Sequence, residues 1–106
     1  MVIERFGVYL VSLDPAIGAE IQKTLPCVVI SPSELNDRLG TVIIAPLTSV
    51  VRRYPFRVNS TFARRRGQIA VDQMRAIDKS RLVKHLGRLD QPTVVRVRNV
   101  LRHYFT

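Results

Sequence analysis

Eight residues near the start of the chain run Phe6-Gly7-Val8-Tyr9-Leu10-Val11-Ser12-Leu13, and apolar side chains occupy both the even and the odd positions of this stretch. Because successive side chains of a strand point to opposite faces of a sheet, the pattern predicts a strand that is buried on both sides. Similar apolar runs on the C-terminal side predict further strands over residues 26–30, 41–47, 54–58, 67–72 and 85–89. The chain is therefore predicted to be mainly β, a small and strongly bent barrel of roughly five to seven strands.

Short helices are predicted in the connections and a longer helix at the C-terminus. Ser31-Pro32-Ser33-Glu34 has the layout of a helix start with Ser31 as the cap, and Gly40 is expected to end that helix. Asp78 is predicted to cap a short helix over residues 79–82. The last helix is amphipathic and begins near Pro92, with apolar residues at positions 94, 97, 101, 104 and 105 and arginines at 96, 98 and 102.

The length and composition predict one globular domain over residues 1–106. A chain of 106 residues has room for a single core, and 46% hydrophobic with 24% charged residues is a globular balance. No apolar run is long enough to cross a bilayer, and the first residues lack the layout of a signal peptide. Cys27 is the only cysteine, so no intrachain disulfide can form. We therefore expect a cytoplasmic protein without a membrane segment.

The charge balance indicates a polyanionic partner. Seventeen Lys and Arg against eight Asp and Glu leave a formal charge of +9. Seven of the arginines lie between positions 52 and 75, where Asp72 is the only acid. The planar guanidinium pairs with phosphate oxygens through two parallel hydrogen bonds, which lysine cannot do. The partner indicated by this excess is nucleic acid or an acidic protein segment.

Several kinds of chemistry find no support in the sequence. His85, His103 and Cys27 are not at metal-ligand spacing, so no metal site is predicted. The five glycines are scattered singly, without a phosphate-binding pattern, and no nucleophile elbow is present. We therefore expect no cofactor, and the remaining candidates are hydroxyls and carboxylates at strand ends beside a basic surface.

A set of short motifs extends over nearly the whole chain. They are Gly7-Val8-Tyr9-Leu10-Val11, Leu13-Asp14-Pro15, Gly18-Ala19-Glu20, Pro26-Cys27-Val28-Val29-Ile30-Ser31-Pro32, Ala45-Pro46-Leu47-Thr48-Ser49, Tyr54-Pro55-Phe56 and Asp72-Gln73-Met74-Arg75-Ala76-Ile77-Asp78. In order and spacing they resemble the MazF/PemK-type mRNA interferases.

That resemblance implies a Src-homology-3-type barrel, the toxin fold shared by MazF, PemK and the gyrase poison CcdB, with a C-terminal α-helix. It also implies a homodimer whose partner is an acidic antitoxin. The implied activity is metal-free cleavage of single-stranded mRNA, in which the ribose 2′-hydroxyl attacks the neighbouring phosphate and a 2′,3′-cyclic phosphate is left. DNA lacks this nucleophile and should be spared.

The resemblance also implies which residues form the site. Thr48 matches the family threonine that contacts the scissile phosphate, and Asp72 matches an acidic residue that accepts a proton or holds a base edge. Phe56 matches a position suited to base stacking, and the alternative is a core residue. The alternative for Asp72 is a cap at a strand end. The full set of implied RNA contacts is Glu20, Lys23, Ser49, Phe56, Arg66, Gln68, Gln73 and Arg75. Glu20 and Lys23 belong to the long loop that is predicted after the first strand.

Leu25 is the main departure from the family pattern. Family members have an arginine at this position, directly before the proline of Pro26-Cys27-Val28-Val29, as the acid or phosphate clamp, whereas leucine can donate no hydrogen bond. Loss of such a contact typically costs on the order of 3 kcal/mol in the transition state, about a hundredfold or more in rate. The sequence thus predicts the fold and RNA surface of the family with strongly reduced cleavage.

Two other functions compete with the ribonuclease. One is a homologue that still binds RNA or antitoxin and no longer cuts, which Leu25 favours. The other is a gyrase-directed toxin of the CcdB type. The C-terminus, His103-Tyr104-Phe105-Thr106, lacks the Trp-Gly-Ile ending of that group, so the gyrase-directed function is the less favoured.

Overall fold

The structure is a computed structural model that describes residues 2–13 and 24–105. The strands are β1 (Gly7–Ser12), β2 (Thr24–Val29), β3 (Thr41–Thr48), β4 (Arg57–Phe62), β5 (Arg65–Ala70), β6 (Arg75–Asp78) and β7 (Leu82–Arg88). The helices are α1 (Ser33–Arg38) and α2 (Gln91–Tyr104), with 3₁₀ turns at Val71–Gln73 and Lys79–Arg81. Glu20 and Lys23, predicted to contact RNA, lie outside the described residues.

The strands form one curled antiparallel sheet in the order β4-β5-β3-β2-β1-β7, and β6 pairs with β3 beside this path. β3 holds the two parts of the sheet together. Its first half pairs with β6 and its residues 44–46 pair with β2, while its last residues, Leu47 and Thr48, pair with Ile69 and Gln68 of β5. The predicted mainly β, barrel-like fold with a C-terminal helix is confirmed.

Alternating side chains of β1 and β2 divide the core into two clusters. Val8 and Val28 belong to a cluster that α2 covers with Val94 and Val97. The alternate side chains of the same strands point to the opposite face and belong to a second cluster, which includes Tyr9, Val11 and Cys27. The first strand is therefore buried on both sides, as its apolar pattern predicts.

Some element boundaries differ from the predictions. The fourth strand begins at Arg57 instead of Tyr54, because the chain turns first and the Arg57 N–H donates to the Tyr54 carbonyl at 3.1 Å. β6 was not predicted, and β7 begins at Leu82 instead of His85. Both strands are largely exposed, with one buried residue each, so their apolar signal is weak.

Ser31 is not the helix cap, so that prediction is wrong. Pro32 occupies the cap position of α1 and no side chain caps the helix. The Ser31 hydroxyl is buried, where it donates to the Asn36 Oδ1 and accepts the Ile43 N–H at 3.1 Å. Tying α1 to β3 leaves this hydroxyl unavailable to the first turn.

The other capping predictions are confirmed, whereas Tyr104 and Phe105, which the sequence placed on the apolar side of the last helix, are exposed. Asp78 caps the 3₁₀ turn by accepting the Ser80 N–H at 2.8 Å, and Asp90 caps α2 with proline in its first turn. Within the described ranges, neither helix has the length and apolarity that a membrane span requires.

Candidate functional site

A groove of about 560 Å³ runs between the ends of β2 and β3 and the β4–β5 hairpin. Pro26 contributes from β2, Thr48 and Ser49 from the end of β3, and Arg65 and Arg66 from β5. The fold thus brings three of the predicted site residues, Thr48, Ser49 and Arg66, to one surface. Arg65 was not predicted as a site residue, although it belongs to the arginine cluster that the charge count detected.

The Thr48 hydroxyl is held in place by one hydrogen bond and can still donate another. Its Oγ1 accepts a hydrogen bond from the Val50 N–H at 3.1 Å. Because a hydroxyl has two lone pairs and one proton, this bond leaves the proton available to a ligand in the groove. The half-buried Thr48 side chain is therefore held as a donor at the rim of the groove.

Gly67 allows β5 to pass close to Thr48. A Cβ atom at position 67 would overlap the carbonyl oxygen of Thr48. Glycine is therefore required here for a close backbone approach, which is one of the positions where its missing side chain matters. Single scattered glycines in the sequence did not reveal this role.

Leu25 lies next to the groove-lining Pro26. In the β1–β2 register Leu25 pairs with Val11, on the face opposite to Leu10 and Pro26, which line the groove. The Leu25 side chain is half-buried and packs against the second core cluster. The position that resembles the family's arginine site thus presents an apolar side chain to the core, and Leu25 is not among the residues that line the groove.

Asp72 lies in the 3₁₀ turn after β5 and forms an ion pair with Arg57. The Arg57 Nε is 2.7 Å from one carboxylate oxygen, and Nη2 is 3.5 Å from the other. The Arg57 side chain is only 5% exposed and that of Asp72 20%. The sequence did not single out Arg57, because nothing in it distinguishes a buried arginine from the six other arginines between positions 52 and 75.

Gln68 is buried and its amide group is fully engaged. Its Nε2 donates to the Arg52 carbonyl at 3.1 Å and to the Asn59 Oδ1 at 3.0 Å, and its Oε1 accepts the Arg52 N–H at 2.9 Å. The side chain therefore holds the chain between β3 and β4, and an RNA contact by this amide would require breaking these bonds.

The remaining predicted contacts, Phe56, Gln73 and Arg75, do not line the groove. Phe56 packs between Tyr54 and Tyr104, at ring-centroid distances of 5.5 and 6.0 Å, so it joins the loop before β4 to the end of α2. Gln73 and Arg75 are exposed beyond Asp72, at the start of β6. These positions extend a polar surface from Asp72 along β6.

Cys27 is a core residue without nucleophilic character. Burial raises the pKa of its thiol to about 12, although the nearby Arg75 opposes this rise. The thiolate is the reactive form of cysteine, so this side chain contributes nothing to the groove at neutral pH. Over residues 2–13 and 24–105 there is no group of three His, Cys, Asp or Glu side chains that could hold a metal ion.

The sequence model of one protein family, the PemK-like, MazF-like toxin of type II toxin-antitoxin system, matches residues 4–105. The chain belongs to this toxin family. Among its relatives, the endoribonuclease PemK of Escherichia coli is 35% identical over 84% of this chain and 71% of its own length. The endoribonuclease EndoA of Bacillus subtilis is 30% identical over 96% of this chain and 93% of its own length.

Solved structures of the family share the fold over almost the whole chain. MazF of Deinococcus radiodurans superposes with a TM-score of 0.77 at 26% identity, covering 97% of this chain and 96% of that one. A MazE–MazF structure from the same organism gives a TM-score of 0.79 at 26% identity, over 97% and 95% of the two chains. Relatives of this toxin-family chain are thus named endoribonucleases. The structure of MazF from Deinococcus radiodurans has also been solved together with MazE.

Proposed function

We propose that this chain is the toxin of a type II toxin–antitoxin pair and acts on single-stranded mRNA as a metal-independent, sequence-specific endoribonuclease. The observation that carries the proposal is the groove in which the Thr48 hydroxyl lies together with Arg65 and Arg66. A hydroxyl donor beside arginine residues matches the needs of a phosphate whose charge increases during attack.

The proposed reaction needs no group beyond the RNA and the protein. The ribose 2′-oxygen attacks the adjacent phosphorus and loses its proton, the bond to the 5′-oxygen breaks, and that oxygen takes up a proton. The products are a 2′,3′-cyclic phosphate and a 5′-hydroxyl end. Thr48 donates a hydrogen bond to a non-bridging oxygen of the phosphate, and the arginines of β5 compensate its charge.

Leu25 sets the rate of this reaction. The resemblance implies an arginine at this position in the family, whereas the Leu25 side chain packs against the second core cluster and can donate no hydrogen bond. An arginine at position 25 has the length to extend from the half-buried site toward the groove. We therefore propose weak cleavage by the chain as it stands.

The partners follow from the charge and from the family. An antitoxin with an acidic, flexible segment complements the +9 charge of the chain. The MazE–MazF structures of the family support such a partner, and the proposed active form is a cytoplasmic homodimer. Size measurement by light scattering, with and without the antitoxin, tests both assemblies.

A second candidate function is binding of RNA or antitoxin without cleavage. The apolar side chain at position 25 favours this candidate, because it removes the family's charged clamp while the basic groove remains. The two functions differ only in whether RNA is cut, so one experiment separates them.

The test compares cleavage of a long single-stranded RNA, in EDTA, by the wild-type chain, Leu25→Arg and the apolar control Leu25→Met. We expect Leu25→Arg to cut at least about a hundredfold faster than the other two, with cyclic-phosphate ends and no cleavage of the matching DNA. If no variant cuts while all bind the RNA, the ribonuclease proposal is wrong and the binding function replaces it.

A further inference from the structure

Arg57, the first residue of β4, is a nearly buried cation that contacts three separate segments of the chain. Besides the ion pair with Asp72, its Nη1 donates to the Val50 carbonyl at 3.2 Å and to the Gln68 Oε1 at 3.4 Å. The guanidinium also lies 5.4 Å from the centre of the Tyr54 ring. A guanidinium with a side-chain exposure of 5% needs partners for its N–H groups within the protein, and these contacts supply four hydrogen bonds for its five N–H groups.

The segment between β3 and β4 is held by the same network. Val50 donates its N–H to the Thr48 Oγ1 and accepts from Arg57, so both of its backbone groups are bonded. Arg52 is held in the same way at its N–H and its carbonyl, both by Gln68. Thr48 and Ser49, at the rim of the groove, are therefore attached to a segment that depends on two buried side chains.

We infer that Arg57 is a positioning residue: it holds Val50, and through Val50 it orients the Thr48 hydroxyl in the groove. The inference also assigns Asp72 to this network, because its carboxylate faces the buried guanidinium with both oxygens. Asp72 then neutralises and aligns Arg57, in place of the proton-accepting role that the family resemblance implies. The kinetic consequence rests on the proposed ribonuclease function, whereas the structural consequence does not.

Arginine is specifically suited to this position. Its planar fork reaches Asp72 with Nε and Nη2 while Nη1 points to Val50 and Gln68. Lysine supplies a charge and three N–H donors but from a single nitrogen, so it cannot reproduce the planar fork whose separate nitrogens bond Asp72 and Val50. If only the charge of Arg57 mattered, lysine would restore the function fully. Partial rescue by lysine therefore indicates that the geometry of the guanidinium matters as well.

The experiment uses the full chain with Leu25→Arg as the active background. Arg57→Met, Arg57→Lys and Asp72→Asn are compared with Arg88→Met as the matched control. Arg88 also forms an ion pair, with Glu4 at 3.8 Å, but its side chain is 66% exposed and it does not line the groove. Hydrogen exchange of the Val50 and Arg52 amides is measured by NMR, and kcat and KM are measured on single-stranded RNA.

We expect Arg57→Met to speed exchange of the Val50 amide at least about tenfold and to lower kcat about tenfold to a hundredfold, with little change in KM. Arg57→Lys should lie between Arg57→Met and the background protein, and Arg88→Met should match the background in both measurements. Asp72→Asn keeps the shape of the side chain and should also speed exchange of the Val50 amide and lower kcat. This variant replaces Arg57→Met in the test if Arg57→Met does not fold.

The inference is overturned if the variants keep the Val50 exchange rate and the kcat of the background within about twofold, a margin below the cost of a small misplacement. It is equally overturned if KM rises while kcat stays constant, since that result would make Arg57 a binding residue only. If Leu25→Arg cuts no RNA, the proposed function fails, and the exchange rates alone still decide whether Arg57 positions the segment.

Discussion

Ala63 and Arg64, at the tip of the β4–β5 hairpin, adopt left-handed backbone conformations with φ angles of 51° and 66°. A two-residue hairpin turn with both φ angles positive favours Asn-Gly, because a side chain with a Cβ atom pays about 1–2 kcal/mol per residue in this region. The hairpin therefore carries backbone strain next to Arg65 and Arg66, the residues that enter the groove. Strain of this kind is common beside functional sites.

Relief of that strain is a prediction for stability. The double substitution Ala63→Asn with Arg64→Gly is expected to raise the free energy of unfolding by about 1 kcal/mol, measured by urea denaturation. Arg64→Ala is the control, since it removes the charge and keeps the unfavourable conformation. Ala63→Val should lower stability, and a more stable Ala63→Val would contradict the assigned strain.

Cys27 is predicted to be inert in the folded protein. Because burial raises the pKa of its thiol to about 12, the thiolate is almost absent below pH 9 in the native state. Alkylation by iodoacetamide at pH 8.5 should be at least about a hundredfold slower in buffer than in urea, followed by mass spectrometry. The unfolded thiol ionises near its ordinary pKa, so native stability from this group declines as the pH rises from about 9 toward the raised value. Equal labelling rates in buffer and urea would show that the thiol is accessible.

At the scale of elements, the cap of α2 makes the helix sensitive to acid. The Asp90 carboxylate accepts the Thr93 N–H at 3.1 Å, and hydrogen bonding with the Thr93 side chain, together with this backbone bond, lowers the pKa of Asp90. A lowered pKa in the folded state contributes stability above the unfolded pKa, and this contribution is lost as the pH falls through the folded value.

The corresponding test compares melting temperatures from pH 7 to pH 2. Asp90→Ala should melt below the wild type at pH 7, and the difference should shrink as the pH falls below about 4. Asp90→Ser, which keeps a capping oxygen without a titrating group, should retain most of the stability at pH 7 and show less acid dependence. A constant difference across the whole pH range would mean that the cap does not act through its charge.

At the scale of the whole molecule, a net charge of +9 on a small domain makes RNA binding depend on salt. Each cation that contacts a phosphate releases a counterion, so the slope of log affinity against log salt counts the contacts. Arg65→Ala is expected to weaken RNA binding and reduce that slope by about 0.7. Fluorescence anisotropy over a salt series measures it, with the exposed Arg88→Ala as the control. An unchanged slope for Arg65→Ala would place Arg65 outside the phosphate contacts.

The sequence by itself determined the class of fold, the order of most elements and the family. Alternation, capping and amphipathicity are local patterns, so β1, β3 and α2 were predictable from neighbouring residues alone. The arginine excess and the leucine at position 25 were equally visible, because composition and motif spacing need no three-dimensional information.

Only the tertiary structure decided how the site is assembled. The bond between Arg57 and Asp72 joins residues 15 positions apart, and the burial of Gln68 depends on the β4–β5 and β3–β5 registers. The requirement for glycine at position 67 likewise depends on how closely β5 passes Thr48. Hydrophobic periodicity specifies which face of a strand is buried, whereas the partner of each polar group is set by strand register and chain curvature, which emerge only when distant segments pack.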